Sequence, residues 1–187
     1  PAVTATTNSR DGAAPSLARR SPGPGRRVLR ARRRGPSRPS LGGRAPAELV
    51  RRLRRPSPRL EAGAALATLA TSMIDVSDGL LADLGHLLGH KLGAEIDLAA
   101  LPTSLSLRGA VPEPDQRWAL QLSSGNDYEP LFSLRPDRVG ACRRVLSAMD
   151  VPVAVIGRVR ARNGVVCRRP DGGILKTDRH GWDHFGR

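Results

Sequence analysis

At 187 residues the chain is long enough for one ordinary domain with a real core, and its formal net charge of +14 is gathered at one end. Sixteen of the 31 basic residues fall in residues 1–59 with only two acids, Asp11 and Glu48, while residues 60–187 balance to zero and read as an ordinary domain. No run approaches the roughly 20 apolar residues that span a bilayer, and two cysteines, Cys142 and Cys167, are too few for a disulfide framework or a zinc site.

Residues 1–46 come first in chain order. They have no sustained apolar period, and "RRSPGPGRRVLRARRRGPSRPSLGG" is a low-complexity Arg/Pro/Gly segment that cannot bury enough surface to offset its ordering entropy. Disorder is expected there. All sixteen of the early cations are arginine, and the only lysines are Lys91 and Lys176, a bias that fits GC-rich coding DNA as well as selected charge. The first aromatic residue is Trp118, so this segment has nothing on which to stack bases. A nucleic-acid arm working through phosphate contacts alone is the disfavoured reading.

Residues 47–187 form the expected domain. "AELVRRL" and "RLEAGAALATLA" read as helices separated by Pro56 and Pro58. "SMIDV" suits a strand, "SDG" a turn, and "LLADLGHLLGHKLG" repeats leucine at helical spacing, ending at Gly93. "AEIDL" alternates as a strand, a helix follows around residues 116–122, and a strand near 128–134. Residues 138–149 are amphipathic, with Val139, Cys142, Val145, Leu146 and Met149 on one face. "VPVAVIGRV" and "GVVCRR" are strands, and "PDGG" is a turn. Interleaving without strict βαβ regularity predicts an α+β fold, a mixed sheet packed with helices. Both cysteines are expected as buried fillers in a reducing compartment, and a cytoplasmic protein is expected.

"TSMIDVSDGLLADLGHLL" places Asp75 and Asp78 three apart around Ser77, just before Gly79. In a strand-to-helix turn, two such carboxylates could share a Mg²⁺ ion, which takes one or two of them together with phosphate oxygens. The Ser77 hydroxyl and nearby N–H groups could reach a phosphate. Equally, Ser and Asp are the favoured residues for starting a helix, and Gly79 eases a turn. The spacing leaves both readings open. Asp83, His86 and His90 could form a metal-binding helix face, but a solvated face is the preferred reading. His180 and His184 read as structural.

"LRRPSPRLEAG", "SMIDVSDGLLADLGHL", "GAEIDLAALP", "SSGNDYEPLF", "VPVAVIGRV" and "GWDHF" occur together in one order and spacing. In that respect the chain resembles the thiamine-monophosphate kinases, which belong to the aminoimidazole-ribonucleotide-synthetase-like ATP-dependent enzymes. The resemblance covers about residues 47–187, the C-terminal domain of that family. It implies ATP-dependent phosphorylation of thiamine monophosphate to thiamine diphosphate, with the substrate's phosphate attacking the γ-phosphorus in line and Mg²⁺ neutralising the crowded phosphates. It further implies that Asp75 and Asp78 are magnesium ligands, that Ser77 contacts ATP, and that Asn126 and Trp182 contact substrate. No catalytic side chain is assigned, because the nucleophile is already anionic. Membership also implies a homodimer for the intact enzyme.

Departures from the family pattern matter too. The family usually reads Gly-Gly-Glu-Asp-Tyr-Glu where this chain has "SGNDYE", so Asn126 stands where the substrate-binding Glu would be. Loss of that charge is expected to weaken a charge-assisted bond of about 1.5–3 kcal/mol. Ser124 replaces a glycine, and Pro130 removes a ladder donor from the next strand. The family's N-terminal ATP-binding domain is not recognisable in residues 1–46. These are therefore read as an out-of-frame translation of its end, and the chain is expected to be a truncated enzyme that does not turn over alone. The alternatives are a non-catalytic binding module with an Arg-rich arm, and another ATP-dependent member of the superfamily.

Overall fold

The computed structural model describes residues 2–6 and 46–175. Its strands are β1 (Ala2–Thr6), β2 (Ser72–Asp75), β3 (Gly93–Asp97), β4 (Pro130–Leu134), β5 (Val153–Arg160), β6 (Gly164–Arg168) and β7 (Ile174–Leu175). The helices are α1 (Ala47–Arg54), α2 (Leu60–Leu66), α3 (Leu80–Leu88), α4 (Leu105–Ala110), α5 (Pro114–Ser123) and α6 (Val139–Ala148). The strands form one sheet in the order β2-β4-β1-β5-β3-β6-β7, antiparallel throughout except between β3 and β6. This is the mixed sheet packed with helices that the α+β reading expects.

Strand β4 shows why the sheet is covered twice. Side chains alternate across a strand, and Leu131 packs with Val76, Leu84 and Ile96, whereas its neighbour Phe132 packs with Ala62, Leu66 and Leu146. Helix α3 thus covers one face of β4, and helices α2 and α6 cover the other. Leu80, Leu84 and Leu88 are spaced by four and all buried, so α3 forms because one leucine stripe has a sheet to lie on. Burying each such side chain contributes about 1.5–3 kcal/mol. In α6 the expected apolar face is met by buried Cys142 and Leu146, with Val139 and Met149 against the same cluster.

Three expectations need correction. The segment expected to lack order contains β1, which pairs with both β4 and β5 in the middle of the sheet. Two neighbouring ladders supply from tertiary pairing what the local sequence does not signal. Residues 7–45 lie outside the described residues. Helix α3 ends at Leu88, not Gly93, because Gly89 takes a φ of +63° and closes the last turn on Gly85; Gly93 begins β3. The strand expected near 128–134 runs over Pro130–Leu134, since Tyr128 sits at φ +53°, outside extended backbone. Helix α4 carries no expectation from the sequence reading; Ser104 caps it, its hydroxyl accepting from Leu107 N at 3.0 Å.

Candidate functional site

The turn between β2 and α3 is built around a residue outside it. Asp83 Oδ2 accepts hydrogen bonds from the N–H groups of Ser77 at 2.9 Å, Asp78 at 3.0 Å and Gly79 at 3.1 Å. Asp83 is only 1% exposed. Burial pushes its carboxyl pKa up, the nearby Asp78 charge adds to this, and the three N–H donors pull the other way. The geometry extends the capping-box principle, in which a side chain in the first helical turn reaches back to amides before the helix. Three N–H groups that the turn could have offered to a phosphate are therefore committed to Asp83.

Asp75 is exposed at the end of β2, opposite Pro130, while Ser77 and Asp78 are half-buried in the turn. Donor atoms of Asp78, Asp83 and His86 lie within 4.8 Å of one another, a set that does not include Asp75. His86 Nδ1 is 3.9 Å from Asp83 Oδ1, and both His86 and His90 are exposed. The solvated helix face therefore describes the two histidines but not Asp83.

A second motif loop, residues 124–129, docks on the first. Ser77 O accepts from Asn126 N at 2.9 Å, Val76 O accepts from Asp127 N at 3.1 Å and Tyr128 N at 2.9 Å, and Val76 N donates to Glu129 O at 3.1 Å. The approach is close enough to require glycine. A Cβ on Gly125 would stand 2.0 Å from Ser77 O, and one on Gly79, at φ +118°, would stand 2.9 Å from Ser123 O. The fold thus brings Asn126 beside the Asp75–Ser77–Asp78 turn. Asn126 is exposed at φ +68°, a left-handed conformation that asparagine tolerates better than most side chains. Ser124, in the family's glycine position, ends α5 at an ordinary φ of −82°. Trp182, His180 and His184 lie outside the described residues.

Glu129 escaped the sequence reading as a tertiary anchor. It is buried, with Oε1 accepting from Arg52 at 3.2 Å and Oε2 from Arg59 Nε at 3.3 Å. The pairing ties α1 and the "RRPSPR" segment to the second loop, and the only sequence signal for it is the recurrence of both motifs in one family. Both cysteines are buried as expected, and burial raises the Cys167 thiol to about 11. Among the described residues no helix is long and apolar enough to cross a membrane.

Comparison with known proteins points in one direction. The family model for AIR synthase related protein, C-terminal domain, matches residues 41–169. A thiamine-monophosphate kinase of Escherichia coli O157:H7 is 45% identical over 139 residues, covering 73% of this chain and 42% of that protein. The crystal structure of thiamine-monophosphate kinase from Stenotrophomonas maltophilia K279a aligns with a TM-score of 0.62 at 37% identity, over 68% of this chain and 39% of that one. A structure of AaThiL complexed with AMPPCP and TMP aligns over 98% of this chain and 51% of that one, with a TM-score of 0.63; at 24% identity it is a likeness of fold. The chain spans less than half the length of the curated relatives it matches.

Proposed function

The chain belongs to the AIR synthase related family through its C-terminal domain, and from that premise we propose that it serves in the ATP-dependent phosphorylation of thiamine monophosphate to thiamine diphosphate. The observation that carries the reading is the docking of the 124–129 loop on the 76–79 turn, which puts the two motifs of the kinase pattern on one rim. Identity of 45% to a kinase across the same region supports it.

Each residue then has a task. Asp75 and Asp78 offer the carboxylate oxygens that Mg²⁺ takes, so the donor chemistry fits that ion. When bound, Mg²⁺ neutralises the phosphate oxygens crowded at the transfer. The Ser77 hydroxyl donates to a phosphate oxygen of ATP. Asp83 holds the turn still, so that these groups meet the phosphates without reorganising. At the loop tip, the Asn126 amide orients the substrate. The family resemblance assigns Trp182 a substrate contact, for which an aromatic face suits the cationic thiazolium or the aminopyrimidine. The attacking phosphate is already an anion, so no general base is needed. The reading assigns the residues of this chain one part of the machinery, since such a relative is matched over 42% of its length. It also carries a homodimer and a cytoplasmic location for the working enzyme.

Equilibrium binding of thiamine monophosphate and an ATP analogue, with Mg²⁺ titrated in, tests this. Asp75→Asn and Asp78→Asn should each weaken the Mg²⁺-dependent component by about tenfold or more. Asn126→Glu should tighten thiamine monophosphate by roughly ten- to a hundredfold by restoring a charged partner. Thiamine monophosphate binding that ignores all three substitutions would sink the reading.

A further inference from the structure

We propose that the cleft between α1 and the 56–59 segment is a separate anion site that takes a phosphate or diphosphate group. The cleft measures about 440 Å³ and is lined by Arg51, Arg52, Arg55, Arg59 and Ser57, with Glu129 as the one acid among the described lining residues. Pro56 and Pro58 stop the helix and turn the chain, which brings Arg59 back beside Arg52 so that both reach the two oxygens of Glu129. Arg51 and Arg55 lie one helical turn apart, are exposed, and have no carboxylate partner among the described residues. Like charges at that spacing repel, and among the described lining residues four guanidiniums face one carboxylate.

A cleft lined by one sign of charge concentrates counter-ions. Guanidinium forks match phosphate oxygens two at a time. Glu129 gives the site its preorganisation, holding two of the forks in place before any anion arrives. This site differs from the Asp75–Asp78 rim in chemistry: it needs no metal, and guanidinium groups would make its contacts to the anion.

The test is calorimetric titration of the intact chain with pyrophosphate, in metal-free buffer at fixed ionic strength. Arg51→Gln/Arg55→Gln changes two exposed side chains, one within α1 to another good helix former and one just past its end, so α1 should persist. We expect one saturable site, weakened about tenfold or more by that pair. Arg32→Ala/Arg33→Ala/Arg34→Ala removes more charge from the basic segment and should change affinity by less than about twofold. Asp78→Asn, which would damage a kinase site, should leave pyrophosphate binding intact, so failure of the kinase reading is distinguishable from failure of this one. Equal loss in the two arginine variants, unsaturable binding, or no effect of the α1 pair would each overturn the proposal. Competition by thiamine monophosphate would assign the bound group to a phosphate ester, and competition by inorganic phosphate alone to the free anion; both outcomes support a phosphate site.

Discussion

Three N–H groups converge on one oxygen of Asp83, and that oxygen keeps the 76–79 turn in shape. Asp83→Ala would orphan all three donors, at least one of them fully buried, at a cost of about 2–4 kcal/mol. Asp83→Asn keeps an acceptor oxygen and relieves the buried charge, so about 1 kcal/mol is expected. Urea unfolding of the two variants checks the order, and equal losses would remove the three-donor account. The carboxyl pKa is raised in the fold, so any stabilisation linked to its protonation is complete at low pH and lost as pH rises through the folded value. The Asn variant should therefore approach the wild type most closely at high pH. In sequence, Asp83 read as one member of a solvated face; a single acid four residues after a glycine does not announce three tertiary-like contacts.

Glu95 works at the scale of strands. Its neighbours Ala94 and Ile96 enter the core beneath α3, which turns Glu95 to the opposite face of β3. There it meets Arg158 of β5 at 2.7 Å, Arg168 of β6 at 2.9 Å, and Arg160 of β5. Three strands are joined through one carboxylate. Hydrogen bonds from Arg158 first, then Arg168 and Arg160, hold its pKa at about 2, against an ordinary 4.5. The folded value is the lower one, so the contribution is complete above about 4.5 and is lost as pH falls toward about 2. Melting temperatures across that window should fall more steeply for the wild type than for Glu95→Gln, and parallel curves would refute the linkage. The alternating "AEIDL" made the strand legible in sequence. It could not reveal the arginines, which sit 63 and more residues away.

At the scale of the whole molecule, legibility followed local signal. Helices α3 and α6 were readable because leucine or valine stripes recur at helical spacing, and the rim of Asp75, Ser77, Asp78 and Asn126 because its residues sit in motifs. Strand β1 was not readable: five small residues beside an Arg/Pro/Gly tract carry no alternation strong enough to outweigh their context. Only the ladders to β4 and β5 define it. This placement bears on whether the start of the chain is a misread remnant without a role. Thr4 stands opposite Phe132 on one side and Val155 on the other. Proline there removes a backbone donor and is poorly tolerated inside a sheet, so Thr4→Pro should cost about 1–3 kcal/mol for the ladder partner it leaves unpaired. Thermal unfolding would show this as a lower midpoint, with β4 and β5 left as open edges prone to pair with other chains. A segment without a structural role would instead leave the midpoint where it was. Substitution at Arg33, in the tract that follows, makes the matched control: it should leave the midpoint unchanged while Thr4→Pro lowers it. That pair of results would separate an ordered central strand from the arginine-rich sequence attached to it.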